Sequence, residues 1–114
     1  MRRKEAEFAS PAAKAVAQRL GQSIRLARLA RNLTQADFAE RARIGRRTLT
    51  RIELGDSSVS FTGWLSALES ASLLPQLDRV ADPSADALGQ AQRSSEIRKR
   101  ARRPHPGASD KYDF

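Results

Sequence analysis

The stretch Leu33-Thr34-Gln35-Ala36-Asp37-Phe38-Ala39-Glu40-Arg41-Ala42-Arg43-Ile44-Gly45-Arg46-Arg47-Thr48-Leu49-Thr50-Arg51-Ile52-Glu53-Leu54-Gly55 decides the reading of this chain, because it spells two short helices around a tight turn. Thr34 stands at an N-cap, and Asp37, three residues on, gives the spacing of a capping box with a shorter acid than the usual glutamate. Phe38, Ala39 and Ala42 share one face of the helix that follows. The next helix runs from Arg46 to Leu54, is capped by Gly45, and turns Leu49 and Ile52 inward. A slip of one residue about its axis would expose both and bury Arg51, so its rotational setting is well specified. Gly55 ends it.

Working outward, Ser10-Pro11 supplies an N-cap and a proline at the first helical position. The helix it opens carries Leu20, Ile24, Ala27 and Arg31 at intervals of three and four, with Gly21 read as a weak point or bend and Asn32 as a left-handed stop. Ser60 caps a fourth helix with Phe61, Trp64, Leu65 and Leu68, and Pro75 begins a short fifth one with Leu77 and Val80. The expectation is an all-α, five-helix domain over residues 11–82, between an N-terminal tail (1–10) and a linker with a basic, flexible C-terminal tail (83–114). Beyond Asp82-Pro83 the composition shifts to Ser, Ala, Asp, Gly and Gln, the mark of a linker or a weak helix. The basic block Arg98-Lys99-Arg100-Ala101-Arg102-Arg103 and the breaker Pro104-His105-Pro106-Gly107 follow, and Tyr112-Asp113-Phe114 ends the chain.

The 114 residues hold 21 Lys and Arg against 13 Asp and Glu, a formal charge of +8 that favours an acidic partner, most often nucleic acid. No apolar run approaches the roughly 18 residues a membrane span needs, and the N-terminus lacks a signal-peptide core, so a cytoplasmic location is expected. With no cysteine there is no disulfide, thiolate nucleophile or cysteine zinc site, and the one histidine, His105, sits between two prolines in a polar segment. There is no Gly-rich phosphate loop and no Ser-His pairing, so neither an enzyme nor a cofactor is expected. What the chain does concentrate is donors: Arg46, Arg47, Thr50 and Arg51 lie on the outer face of the third helix, suited to base edges and phosphates in a DNA major groove.

Leu33-Thr34-Gln35, Phe38-Ala39, Ala42, then Leu49-Thr50-Arg51-Ile52-Glu53 and Gly55 resemble the Cro/C1-type, or Xre-type, helix-turn-helix family of lambda repressor-like DNA-binding domains. Two positions depart from it: Arg43 replaces the usual turn glycine and Gly45 the usual serine cap. Further on, Gly55-Asp56-Ser57-Ser58-Val59-Ser60, Trp64-Leu65, Leu73-Leu74-Pro75-Gln76-Leu77-Asp78 and Ala81-Asp82-Pro83 are similar to HipB-type antitoxins. Such proteins bind DNA as dimers and restrain a HipA-type kinase toxin.

The resemblance implies a division of labour among the residues. Gln35 contacts the phosphate backbone and braces the reading helix; Arg46 and Arg47, with Thr50 and Arg51 a turn later, face bases or phosphates; Gly45, Ser57 and Ser58 lie against the DNA backbone. Arg28 and Glu53 form a structural ion pair between the first and third helices. Leu74, Leu77 and Val80 are read as core or, where exposed, as a homodimer interface, and Tyr112 and Phe114 as a toxin-docking tail or an ordinary terminus. The basic block reads as a phosphate-binding arm, a solvated tail or a dock for an acidic protein. The function expected is a transcriptional repressor acting as antitoxin to a HipA-type kinase, the alternatives being a stand-alone Xre-type repressor and a basic RNA-binding or scaffold protein.

Overall fold

The structure, a computed structural model, describes residues 9–102. They form helices α1 (Pro11–Ala30), α2 (Gln35–Ala42), α3 (Arg46–Glu53), α4 (Phe61–Ser70), α5 (Leu74–Asp78) and α6 (Ala87–Arg102), with 3₁₀ turns at Arg79–Ala81 and Pro83–Ala85. No strand occurs among the described residues, in keeping with the all-α reading. The chain divides between Leu77 and Asp78 into two compact units.

In the first unit the starts of α1, α2 and α4 are fixed by hydroxyl caps. Ser10, Thr34 and Ser60 accept from the backbone N–H groups of Ala13, Asp37 and Gly63, each at 3.1 Å. The reciprocal half of a capping box, from Asp37 back to Thr34, does not form among the described residues. Gly45 opens α3 with extended backbone and no side-chain cap.

The helix ends share one device. After each of α1 to α4 a single residue enters the left-handed region, Asn32 (φ 55°), Arg43 (φ 58°), Gly55 (φ 80°) and Ser72 (φ 61°). The amide one residue later bonds back to the last turn: Leu33 to Arg28 O, Ile44 to Ala39 O, Asp56 to Arg51 O and Leu73 to Leu68 O. This is the paired closure of a Schellman motif, which reverses the chain in a fixed direction. Only one of the four positions is glycine; Arg43 and Ser72 occupy a region that costs an L-residue roughly 1–2 kcal/mol.

Between these reversals the core closes around Ile24, Phe38, Leu49 and Ile52, all fully buried, with Ala39, Ala42, Val59, Trp64, Ala67, Leu68 and Ala71 completing it. Leu73, Leu74 and Leu77 pack half-buried against this cluster, so the two leucines assigned to a dimer contact serve the core of their own unit. Val80, the third, is exposed and lies in the second unit.

Gly21 is no bend. Helix α1 runs unbroken through it. A Cβ there would collide with the Ile52 carbonyl oxygen and lie 3.0 Å from both the Glu53 carbonyl oxygen and the Gly55 nitrogen, while one on Gly55 would lie 2.6 Å from Gln18 Cα. The two glycines let α1 touch the end of α3 backbone to backbone.

Among the described residues the α-helices number six, the five expected within residues 11–82 and α6 beyond them. Asp86 starts α6 by accepting from the Gly89 amide at 3.0 Å, and the Ala, Gln, Arg, Glu and Lys that follow are good helix formers, so Arg98, Lys99 and Arg100 sit on a helix instead of a loose tail. Arg103, His105, Tyr112 and Phe114 lie outside the described residues.

These contacts predict opposite effects for two small changes. Gly21→Ala is expected to destabilise the first unit by about 3 kcal/mol, because backbone on both sides must move apart. Ser72→Gly is expected to stabilise it by about 0.5–1 kcal/mol through relief of the left-handed strain. Thermal unfolding of the two variants checks both signs.

Candidate nucleic-acid interface

Arg28 and Glu53 anchor the site from beneath. Arg28 donates through Nε to Glu53 Oε2 at 2.7 Å and through Nη2 to Oε1 at 3.1 Å, and both side chains are at least nine-tenths buried. Its Nη1 donates to the Leu33 carbonyl at 2.9 Å, so one guanidinium ties α1 to the α1–α2 turn and to the end of α3. The hydrogen bond that Arg28 donates to Glu53 raises the Arg28 pKa further above its ordinary value against the opposing cost of burial. The ion pair read from the family resemblance is present in full.

The network continues outward through Gln35. Its Nε2 donates to Glu53 Oε1 at 3.1 Å, and its Oε1 lies 3.2 Å from the Thr50 hydroxyl. That hydroxyl has one proton and a second acceptor, the Arg46 carbonyl at 3.1 Å. Gln35 therefore bolts the start of α2 to α3, the bracing role read for it, and Thr50 is held by the same contact. No buried side-chain polar atom among the described residues lacks a partner.

Helix α3 is set by burial of Leu49, Ile52 and Glu53. With 3.6 residues per turn this leaves Arg47, Thr50, Arg51 and Leu54 on the opposite face and Arg46 beside them at the N-terminal end. Arg46 and Arg47 are exposed, and their side chains make no hydrogen bond or ion pair among the described residues. The uncapped first-turn amides behind Gly45 add to the positive character of that end. Leu54, 74% exposed, was not singled out from the sequence; it stands one heptad after Arg47.

Arg51 is in a different state. Its Nε donates to Asp56 Oδ2 at 2.9 Å and its Nη2 to the Ser58 hydroxyl at 2.6 Å. Ser58 in turn donates from its hydroxyl to Asp56 Oδ1 at 2.6 Å and from its backbone amide at 2.9 Å. Sequence reading missed Asp56, and a signal was available: the Gly55 reversal brings the first acid after α3 back against the helix end. Ser57 is exposed.

Residues 24–62 match the helix-turn-helix family model. This match, over about a third of the chain, supports a Cro/C1-type helix-turn-helix segment. The match supports a DNA-binding transcription regulator, with α2 and α3 as the two helices of the motif and α3 in the position of the reading helix. No curated protein and no solved structure matches the chain. Among the described residues no helix of this regulator is long and apolar enough to cross a membrane, and no cluster of His, Asp and Glu has the arrangement of a metal site.

Two measurements follow from this geometry. Glu53→Ala leaves the Arg28 guanidinium buried without its counter-charge and is expected to cost the domain about 3–5 kcal/mol in urea unfolding, whereas Arg28→Met combined with Glu53→Leu costs less than the sum of the single changes. The Asp56 carboxyl is held at about 2, below the ordinary 3.8, first by the Ser58 hydroxyl, then by Arg51 and the Ser58 amide. A depressed value in the fold means the unfolded chain binds more protons in this range, so the stabilisation is complete above about pH 4 and lost as the pH falls towards 2. Asp56→Asn is expected to flatten that part of the stability profile.

Proposed function

We propose that this protein is a sequence-specific transcriptional repressor, and that it binds a palindromic operator as a homodimer by inserting one α3 per subunit into successive major grooves. The observation that carries this reading is the exposed side of α3, where Arg46 and Arg47 have no partner among the described residues on a helix whose rotation is locked by Leu49, Ile52 and the Glu53 network. A rigidly held helix with unspent guanidinium donors at its N-terminal end fits the donor and acceptor pattern of the major groove. The activity is binding without a catalytic step, it takes place in the cytoplasm, and repression is steric exclusion of polymerase.

We further propose that the repressor is the antitoxin of a HipA-type kinase. This rests on the resemblance of residues 55–60, Trp64-Leu65 and 73–83 to HipB-type antitoxins. Dimer contacts are proposed at Leu74 and Leu77 of the first unit, which offer their unburied edges, and at Val80 of the second, which is 76% exposed.

The test is binding to the chain's own upstream promoter against scrambled duplex across a salt series, with and without the product of the adjacent gene. Arg46→Ala and Arg47→Ala are each expected to weaken promoter binding about 5- to 100-fold while affecting scrambled duplex much less. Equal loss on both duplexes would reduce the two arginines to phosphate contacts. A shift of promoter affinity by a neighbouring kinase supports the antitoxin role, and its absence favours a stand-alone repressor. Truncation before Arg98 is expected to lower the log–log salt slope by about 0.9 for each phosphate no longer neutralised, if the basic end of α6 lies on DNA.

A further inference from the structure

The pair Arg51–Asp56 joins the reading face to the loop behind it, and its geometry is more specific than a surface ion pair requires. A guanidinium has five N–H donors in a planar fork, and two edges of that fork can each offer a parallel pair. Asp56 and Ser58 take the side edge, Nε and Nη2, as a unit: the carboxylate accepts at Nε, the serine oxygen accepts at Nη2, and the serine hydroxyl closes the ring onto the other carboxylate oxygen. The Ser58 amide fixes the carboxylate from the backbone. The outer edge, Nη1 with the second Nη2 hydrogen, has no partner among the described residues.

We propose that Asp56 and Ser58 are positioning residues that hold Arg51 as a guanine reader, its outer edge donating to O6 and N7 of one guanine in each half-site. This rests on the repressor reading above and adds to Arg46 and Arg47 a third base-reading arginine and what aims it. Two features favour a base edge over a phosphate as the acceptor. The Asp56 carboxylate offsets most of the Arg51 charge and repels an approaching phosphate, whereas the neutral guanine edge is not repelled. A bidentate contact also depends on direction more than on charge, and here the rotamer freedom of a long side chain is already lost on folding rather than on binding. Asp56 stays ionised wherever duplex DNA is stable, since its carboxyl is held near 2. Arg46 and Arg47 have no such support among the described residues, so their direction is fixed only on contact with the duplex.

The test is selection by the full-length chain from duplexes randomised over about 20 base pairs, followed by replacement of each selected guanine with 7-deazaguanine, which lacks only the N7 acceptor. For the wild type, the guanine read by Arg51 in each half-site is expected to lose about 3- to 10-fold in affinity on replacement, because one of the two hydrogen bonds of the bidentate contact is removed and O6 remains. In Arg51→Ala, Asp56→Ala and Ser58→Ala that ratio is expected to fall towards 1, in the last least completely, while affinity for random duplex stays level or, for Asp56→Ala, rises. If Asp56→Ala fails to fold, Ser58→Ala, which removes a single exposed hydroxyl, carries the test. An enriched site whose 7-deazaguanine ratios are unchanged by Asp56→Ala and Ser58→Ala overturns the inference and leaves the repressor reading standing. A pool that stays random overturns both.

Discussion

The buried pair between Arg28 and Glu53 is the constraint on which the rest of this domain turns. Glu53 closes α3, and its two oxygens accept three hydrogen bonds, two from Arg28 on α1 and one from Gln35 on α2. Three helices thus converge on one carboxylate in a setting where water cannot substitute for a missing partner. Such a pair adds little net stability over an apolar replacement, since the cost of desolvating both ions opposes their attraction. What it does is directional. The apolar contacts of Leu49 and Ile52 would tolerate a rotation of α3 by several degrees, whereas the bidentate fork of Arg28 and the amide of Gln35 would not.

That directional lock works because the chain arrives at it from fixed reversals. Each of the first four helices ends in a left-handed residue with an amide folded back onto the last turn, so the entry direction of the next helix is set by local hydrogen bonds. The backbone approach at Gly21 and Gly55 then brings α1 close enough to the end of α3 for the Arg28 side chain to reach Glu53. Strain accepted at Arg43 and Ser72 is the counterpart of this precision, and neither position is placed in the core, where the same strain would also disturb packing.

The sequence made much of this legible, and the gaps have physical causes. Apolar periodicity located the core face of α3, hydroxyl residues marked the starts of α1, α2 and α4, and Asn32 and Gly55 declared their stops. Ser72 gave no signal, because serine at a left-handed position is chosen by the surrounding closure and not by its own propensity. Gly21 misled for the opposite reason: within a helix, glycine registers as a weak point, and only the approaching backbone of α3 shows why a side chain is excluded. The Arg28–Glu53 pair, 25 residues apart, carries no local spacing rule and came from family resemblance alone. Helix α6 has too few apolar residues for a period to show, so its start at Asp86 and its helix-forming composition were outweighed by its polarity.

The same hierarchy separates the arginines of α3 into two kinds. Arg46 and Arg47 are exposed and make no side-chain hydrogen bond or ion pair among the described residues, so each must order its own side chain on binding. Arg51 has given up part of its charge and rotamer freedom to Asp56 and Ser58. A protein of formal charge +8 already has long-range attraction for DNA in excess, so one further free cation on the reading face would strengthen all duplexes alike and improve the choice among them very little. A cation whose charge is offset by a neighbouring carboxylate contributes less to indiscriminate binding and more to a contact that depends on angle. On the proposed reading helix, an acid beside Arg51, which looks unfavourable when charges are simply added, would raise the ratio of specific to non-specific affinity.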